Sequence, residues 1–187
     1  GFDFMYFNAS EVNRDEALRS SSKALTLAPD LAESHVAAGM AQCMMHDYRR
    51  AEAEFETAIE LDERTFDAWY FFGRAKVHEG DLERALTLFH RAARVRPEDF
   101  QTVLLQAQLY ISLGDEKRAL EVSRIGVERA RAMLELNPDD IRALNMGAFG
   151  LLRLGEPEEA EAWMAASVAR APQDSIVHYN AACLCAI

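Results

Sequence analysis

The 187-residue sequence has little glycine, proline or cysteine and no long apolar run. Its nine glycines and five prolines are too few for an all-β fold, which depends on many tight turns. No segment approaches the ~20 consecutive apolar residues that a membrane-spanning helix needs, and no signal-peptide pattern opens the sequence. We therefore expect a protein that does not insert into a membrane and that is located in the cytoplasm.

Positive charge is also scarce. The sequence has 20 lysines and arginines against 31 aspartates and glutamates, so its formal net charge is −11. Binding to the phosphates of nucleic acids relies on clustered basic residues, and we therefore expect no nucleic-acid partner. Half of the residues are hydrophobic, which is enough for a sizeable core.

The three cysteines, Cys43, Cys183 and Cys185, form no even-numbered disulfide framework. Their odd number favours reduced thiols, as in the cytosol. On a helix, residues two apart point roughly 200° away from each other, so Cys183 and Cys185 would not share a metal ion. We expect buried structural thiols, with a redox or metal-binding role as the alternative. The five histidines lack ligand spacing, and we predict neither a metal site nor a cofactor.

Small residues recur along the sequence at a fixed spacing. Alanine occurs at intervals of 34 residues, with one interval of 41, at Ala17, Ala51, Ala85, Ala119 and Ala160. A second set of small residues, glycine or alanine, recurs with the same two spacings at Gly39, Gly73, Ala107, Ala148 and Ala182. A third set consists of prolines with one glutamate in place of a proline, and it recurs with the same spacings at Pro29, Glu63, Pro97, Pro138 and Pro172. Shared periods of this length are typical of repeat proteins.

Each of these recurring residues has a physical role if every repeat folds as a helix–turn–helix unit. Small side chains allow two helices to pack closely, and proline ends the second helix because its ring cannot continue the hydrogen-bond ladder. The turns between the helices are His46-Asp47, Gly80-Asp81, Gly114-Asp115 and Gly155-Glu156. Glycine suits the left-handed C-cap of the first helix, and the acidic residue suits the N-cap of the second. Since one unit cannot bury its apolar face alone, we predict that neighbouring units stack.

The unit from 66 to 99 resembles the tetratricopeptide repeat (TPR) family most closely. Its matching residues are Trp69, Phe72, Gly73, Gly80, Asp81, Ala85, Phe89, Ala92 and Pro97. The resemblance implies an all-α fold, a right-handed α-solenoid of stacked antiparallel helix pairs. It covers the chain as a single array over 1–187, with repeats at approximately 1–31 (partial), 32–65, 66–99, 100–140 with a seven-residue extension, 141–174, and 175–187 (a half repeat). Three departures are mild: Glu63 replaces a proline, His46 a turn glycine, and Met5 a small residue.

The seven additional residues lie between Ala119 and Pro138. Seven residues make close to two turns of ~3.6 residues, so the insertion should lengthen the helix and keep its apolar face in phase. We expect a protruding helix that tilts the next repeat. The alternative is a docking ridge with a polar surface formed by Arg124, Glu128, Arg129 and Arg131.

Both ends of the sequence lack the polar capping helices that repeat arrays need. Aromatic and apolar residues crowd the start at Phe2, Phe4, Met5, Tyr6 and Phe7, and the last segment, 179–187, resembles a first helix without its second. We expect a fragment of a longer protein, with end-to-end self-association as the alternative. The segments LNPDD and YNAACLCA, and 17 arginines against 3 lysines, resemble the C-terminal TPR arrays of bacterial multidomain signalling proteins.

In the TPR family the first helices of the repeats line a concave groove that commonly binds a peptide. The resemblance and the helical spacing together place in that groove Val36, Met40, Met44, Tyr70, Phe71, Arg74, His78, Leu104, Gln108, Ile111, Arg142, Asn145, Phe149 and Arg153. Members that bind the C-terminal carboxylate of a chaperone use lysine, asparagine and arginine at such positions. Because apolar residues replace most of these here, we expect a largely apolar groove and no binding of chaperone tails.

We therefore predict a protein–protein interaction scaffold that binds a peptide or a partner domain in an apolar concave groove. The alternatives are a regulatory or structural spacer module of a larger bacterial signalling protein, or a self-association module. The groove residues could instead pack against one another. No nucleotide-binding, hydrolase or zinc-protease motif occurs in the sequence, and we predict that the protein is not an enzyme.

Overall fold

The computed structural model describes residues 11–185 and, within them, the side chains of 13–184. Over this part the chain forms ten α-helices and no strand. Their bounds are Glu11–Leu27 (α1), Ala32–Met44 (α2), Tyr48–Leu61 (α3), Phe66–Glu79 (α4), Leu82–Val95 (α5), Phe100–Ser112 (α6), Glu116–Leu136 (α7), Ile141–Arg153 (α8), Pro157–Arg170 (α9) and Ser175–Cys185 (α10). The predicted apolar cluster at Phe2, Phe4, Met5, Tyr6 and Phe7 lies outside the described residues.

The predicted fold class is confirmed, since the described helices form an all-α helical repeat of the solenoid class. The two helices of each pair, α2 with α3, α4 with α5, α6 with α7, and α8 with α9, pack against each other. Helices α2, α4, α6, α8 and α10 begin at residues 32, 66, 100, 141 and 175, where the predicted repeats begin. Helix α7 has 21 residues, against 14 in α3, α5 and α9, so the additional residues extend this helix.

The chain divides into two compact units, Gly1–Arg96 and Pro97–Ile187. The described part of the first unit contains α1 to α5, and that of the second contains α6 to α10. Each unit has its own apolar core. Phe55 and Phe72 lie in the core of the first unit, and Leu104, Leu151 and Met164 lie in that of the second.

In the first unit, the small residue of each helix pair is a glycine that faces a phenylalanine. A Cβ atom on Gly39 would lie 2.7 Å from Cε1 of Phe55, and one on Gly73 would lie 2.8 Å from Cε1 of Phe89. Both rings are fully buried. The absence of a side chain at these glycines therefore provides the space that the rings occupy.

In the second unit, the corresponding positions hold different residues. Ala107 and Ala148 replace the two glycines, while Ser123 and Met164 replace the two phenylalanines. Ser123 is fully buried, and its hydroxyl donates a 2.6 Å hydrogen bond to the carbonyl oxygen of Ala119 one turn earlier. In the α6–α7 pair, a polar atom thus lies where the pairs of the first unit have an aromatic ring.

The turns between paired helices have the predicted cap geometry. Gly80, Gly114 and Gly155 have φ angles of 81°, 79° and 79°, and His46 occupies the same left-handed region with φ 59°. Asp47, like its two counterparts at the following turns, accepts a hydrogen bond from the backbone N–H three residues later. The last pair differs: Glu156 forms no such bond, and α9 begins with proline instead.

Candidate functional site

The predicted groove residues of the first unit lie at two depths. Val36 and Tyr70 are each only 6% exposed, so they belong to the interior. Met40, Met44 and Phe71 are half-buried and pack against the apolar core. The spacing therefore selects one face of α2 and α4 that includes both core positions and partly accessible ones.

Two polar residues of this face, Arg74 and His78, contact aromatic rings. Nη1 of Arg74 donates to the hydroxyl of Tyr70 at 3.3 Å, and the His78 ring stacks on Tyr48 with a centroid distance of 6.1 Å. Burial, together with the positive charge of Arg74, lowers the pKa of His78. His78 is therefore neutral near pH 7.

The first unit contains a buried ion cluster that was not predicted from the sequence. The Lys76 side chain is 6% exposed, and its Nζ lies 2.6 Å from Glu52 and 2.7 Å from Glu79. Arg84 also contacts Glu52, and it lies 3.2 Å from Glu56. Burial alone would lower the pKa of Lys76, but its hydrogen bonds to the two carboxylates raise it above the ordinary value. The charge of Lys76 is thus compensated within the unit.

The predicted groove residues of the second unit also divide by exposure. Leu104 and Asn145 are buried at 3% and 6% exposure. Phe149 is half-buried, whereas Arg142 is exposed and Ile111 is 38% exposed. The accessible part of this face therefore combines aliphatic, aromatic and basic side chains.

Arg153, near the end of α8, has an unusual environment. Its Nη1 donates to Oγ of Ser123 at 3.2 Å and its Nη2 donates to Oε1 of Gln108 at 3.3 Å. Both acceptors are neutral, and Arg153 forms no ion pair within residues 11–185. Burial lowers the pKa of Arg153, with no neighbouring carboxylate to offset that effect. The side chain nevertheless stays charged, because arginine has a very high intrinsic pKa.

Asn145 contributes a second polar feature to the interior of this unit. Its Nδ2 donates to the carbonyl oxygen of Ile141 at 3.1 Å and to Oγ of Ser167 at 2.6 Å. Its Oδ1 is buried and has no hydrogen-bond partner in the described part of the chain. Asn145 therefore ties α8 to α9 from inside the unit.

The long helix α7 carries the four residues of the alternative docking ridge. Arg124 and Glu128 are exposed. Arg129, in contrast, donates to the carbonyl oxygen of Asp99 at 3.1 Å, and Arg131 lies 2.9 Å from Glu156 and 2.7 Å from Glu159. Hydrogen bonding to Glu159, helped by Glu156, raises the pKa of Arg131. Two of the four ridge residues thus form contacts within the second unit.

The two cysteines whose side chains the structure describes, Cys43 and Cys183, are free thiols that differ in burial. Cys43 is fully buried, and burial raises the pKa of its thiol to about 12. Cys183 is a half-buried free thiol. The described residues contain no group of three or more histidine, cysteine, aspartate or glutamate side chains that could hold a metal ion. Nor does any helix within 11–185 combine the length and the apolar character needed to cross a bilayer.

Comparisons with known proteins agree with the fold. The family model described as tetratricopeptide repeat matches residues 44–109. A thermophilic TPR protein of Thermus thermophilus is 22% identical, with a TM-score of 0.70 over 93% of this chain and 91% of that chain. YrrB, a TPR protein with an unusual peptide-binding site, is 23% identical, with a TM-score of 0.57 over 89% of this chain and 82% of that chain.

Among characterised sequences, the chain is similar to anaphase-promoting complex subunit 3 of Schizosaccharomyces pombe. The two are 26% identical over 106 residues, which are 57% of this chain and 16% of that protein. The chain thus spans about one sixth of the length of such relatives. Proteins of this repeat class generally serve as non-enzymatic scaffolds for protein–protein interaction. Residues 44–109 of this chain thus match the tetratricopeptide repeat family, and helical pairs of the same fold occur before and after them.

Proposed function

We propose that this chain is a protein-interaction scaffold and that it binds a peptide or a partner domain through the faces of its first helices. These faces are formed by α2 and α4 in the first unit and by α6 and α8 in the second. The proposal includes a cytoplasmic location and no catalytic activity. The spacer and self-association alternatives predict no peptide ligand at these faces.

The observation that carries the proposal is the environment of Arg153. A guanidinium group withdrawn from water is costly unless its charge is compensated, and arginine offers five N–H donors. Ser123 and Gln108 accept one hydrogen bond each and carry no charge. A partner that brings a hydrogen-bond acceptor to this position would offset a cost that the free protein bears.

Apolar side chains beside Arg153 give a partner additional contact area. Phe149 precedes Arg153 by one helical turn on α8, so the two side chains share a face of that helix. Ile111 likewise follows Gln108 by three residues on α6 and shares a face with it. Phe149 is half-buried and Ile111 is 38% exposed. Aromatic and arginine side chains are frequent anchors in protein interfaces. We expect binding of about micromolar strength once association costs are included.

The experiment begins with selection of peptide ligands from a random library displayed on phage, with the full chain as bait. The affinity of selected peptides is then measured by calorimetry for the parent chain and for Arg153→Leu and Phe149→Ala. We expect both substitutions to weaken binding at least ~10-fold, which corresponds to about 1.4 kcal/mol. Melting temperatures identify any variant that loses affinity because it unfolds.

Arg124→Leu is the matched control, because Arg124 is an exposed arginine of the same unit on α7. It removes the same charge and should leave the affinity within about twofold of the parent value. If no peptide is selected, or if Arg153→Leu and Arg124→Leu weaken binding equally, the proposed face is wrong.

A further inference from the structure

A cleft in the first unit lies apart from the first-helix face described above. It has a volume of about 450 Å³ and is lined by Glu63, Arg64, Trp69, Arg91, Arg94 and Val95. The first two residues belong to the connection between α3 and α4, Trp69 lies in the first turn of α4, and the others lie on the last turns of α5. This volume is within the range of ~300–1,000 Å³ typical of small-ligand sites.

The cleft is positively charged in a protein whose net charge is −11. Three guanidinium groups and one carboxylate line it, so its formal charge is +2. Arg64, Arg91 and Arg94 are exposed, and none of them forms an ion pair with a described carboxylate. Arg50 and Arg84 of the same unit, by contrast, are paired with acidic residues. The three arginines of the cleft therefore keep their charge available to a ligand.

One wall of the cleft is apolar and fixed in position. Nε1 of Trp69 donates a 2.8 Å hydrogen bond to the carbonyl oxygen of Glu63, and the half-buried indole packs against the core of the first unit. Val95 adds a half-buried aliphatic surface. A ligand that fits this cleft should therefore have an apolar or planar part beside its charged group.

We infer that the cleft binds a phosphate monoester that is linked to an aromatic ring. A phosphate monoester carries a charge of about −1.5 to −2 near pH 7, which matches the formal charge of the lining, whereas a single carboxylate carries only −1. The guanidinium group of an arginine can donate hydrogen bonds to two phosphate oxygens at once. The indole of Trp69 provides a surface on which an aromatic ring can stack. The group can come from a small aryl phosphate or from a phosphotyrosine side chain. This inference does not depend on the function proposed for the first-helix faces.

The test is a titration of the ¹⁵N-labelled full chain with phenyl phosphate at constant ionic strength, followed by NMR. The indole N–H signal of Trp69, assigned with Trp69→Phe, reports on the wall of the cleft. We expect a saturable shift with a Kd below ~1 mM. Inorganic phosphate, which lacks the ring, and phenol, which lacks the charge, should each bind at least ~3-fold more weakly, since each omits one group of contacts.

Charge-reversal variants locate the binding site. Arg91→Glu and Arg94→Glu should each weaken phenyl phosphate binding about 10-fold or more, because each removes a donor and adds a repulsive charge. Arg49→Glu is the matched control: Arg49 is exposed on α3 and forms no ion pair with a described residue, and the charge change is the same. We expect less than a ~2-fold effect from it.

Three results would overturn the inference. They are the absence of a saturable shift, equal effects of Arg49→Glu and Arg94→Glu, and binding of inorganic phosphate or phenol as strong as that of phenyl phosphate. A pentapeptide with phosphotyrosine at its centre then separates the two sources. Tighter binding than phenyl phosphate supports a phosphorylated protein as the ligand, and equal or weaker binding supports a small aryl phosphate. Circular dichroism melting verifies that each variant is folded.

Discussion

Lys76 in the first unit and Arg153 in the second are both basic residues on first helices, but their partners differ in charge. The side chain of Lys76 is 6% exposed and lies within 2.7 Å of two carboxylates. Arg153 is half-buried and donates to a serine and a glutamine. Accordingly, the pKa of Lys76 is raised by hydrogen bonds to Glu52 and Glu79 despite burial, and that of Arg153 is lowered by burial.

We interpret this difference as one between a charge that stabilises the fold, at Lys76, and a charge that a partner could use, at Arg153. A buried ion pair makes its two members dependent on each other, so that removing one leaves the other uncompensated. A partly buried charge that has only neutral partners lowers the stability of the free protein. A ligand that brings a hydrogen-bond acceptor to this charge would offset that loss. Substitutions at Lys76 and Arg153 should therefore have opposite consequences for folding.

The largest expected effect is that of Lys76→Met. It leaves Glu52 and Glu79, which are 25% and 33% exposed, without the cation that both contact. We expect the free energy of unfolding to fall by about 2–3 kcal/mol, slightly less than for a fully buried pair. Urea unfolding followed by circular dichroism measures it. Lys117→Met, at an exposed position of α7, should change stability by less than ~0.5 kcal/mol, and equal losses in both variants would contradict the assignment.

Gly73→Ala should have the next largest effect. Its new Cβ atom would lie 2.8 Å from Cε1 of the fully buried Phe89, and overpacking of this kind costs about 1–3 kcal/mol. The same measurement with Gly73→Ala/Phe89→Leu should recover part of the loss, because the smaller side chain frees the space. Without that recovery, the close contact is not the reason for the glycine.

The ion cluster should also make the stability of the protein depend on pH. Burial alone would raise the pKa of Glu52, but its hydrogen bond to Lys76 and the charges of Lys76 and Arg84 bring it below the ordinary value of 4.5. This carboxylate therefore stabilises the fold above that pH, and its contribution is lost as the pH falls through the lower folded pKa. Glu52→Gln should reduce stability at pH 7 by about 1 kcal/mol. The gap to the parent chain should narrow as the pH falls below the ordinary value of 4.5, and a constant gap would contradict the pairing.

The smallest expected effects concern the turns. His46 has φ 59° at the position where Gly114 has φ 79°. Because left-handed backbone is unfavourable for residues with a Cβ atom, His46→Gly should stabilise the protein by about 0.5 kcal/mol. Gly114→Ala should destabilise it by about 1 kcal/mol, since a Cβ there meets nothing within 4 Å and only strain is added. Thermal melting of both variants measures these changes, and shifts of the same sign would refute the comparison.

The fold could be predicted from the sequence because each recurring residue has a local cause. Glycine at the turn allows positive φ, aspartate caps the next helix, and the structure shows both features at Gly80 and Asp81. The side chain that faces the small residue of a helix pair could not be predicted. It depends on which side chains meet across two helices, as Gly73 and Phe89 do.

The candidate site was less predictable, because helical spacing indicates on which face of a helix a residue lies but not how deeply its side chain is buried. Val36 and Tyr70 share that face with accessible residues, but neighbouring helices bury them to 6% exposure. The environment of Arg153 depends on Ser123 and Gln108, which are 30 and 45 residues distant in sequence. No local pattern connects residues so far apart.

Arg153→Met tests most directly whether the charge of Arg153 stabilises the fold or lowers the stability of the free protein. The measurement is the free energy of unfolding in urea, determined for the full chain without ligand. If the charge with neutral partners is a cost, the variant should be as stable as the parent chain or more stable by up to about 1 kcal/mol. A loss comparable to that of Lys76→Met would contradict this account and would show that Arg153, like Lys76, stabilises its own unit.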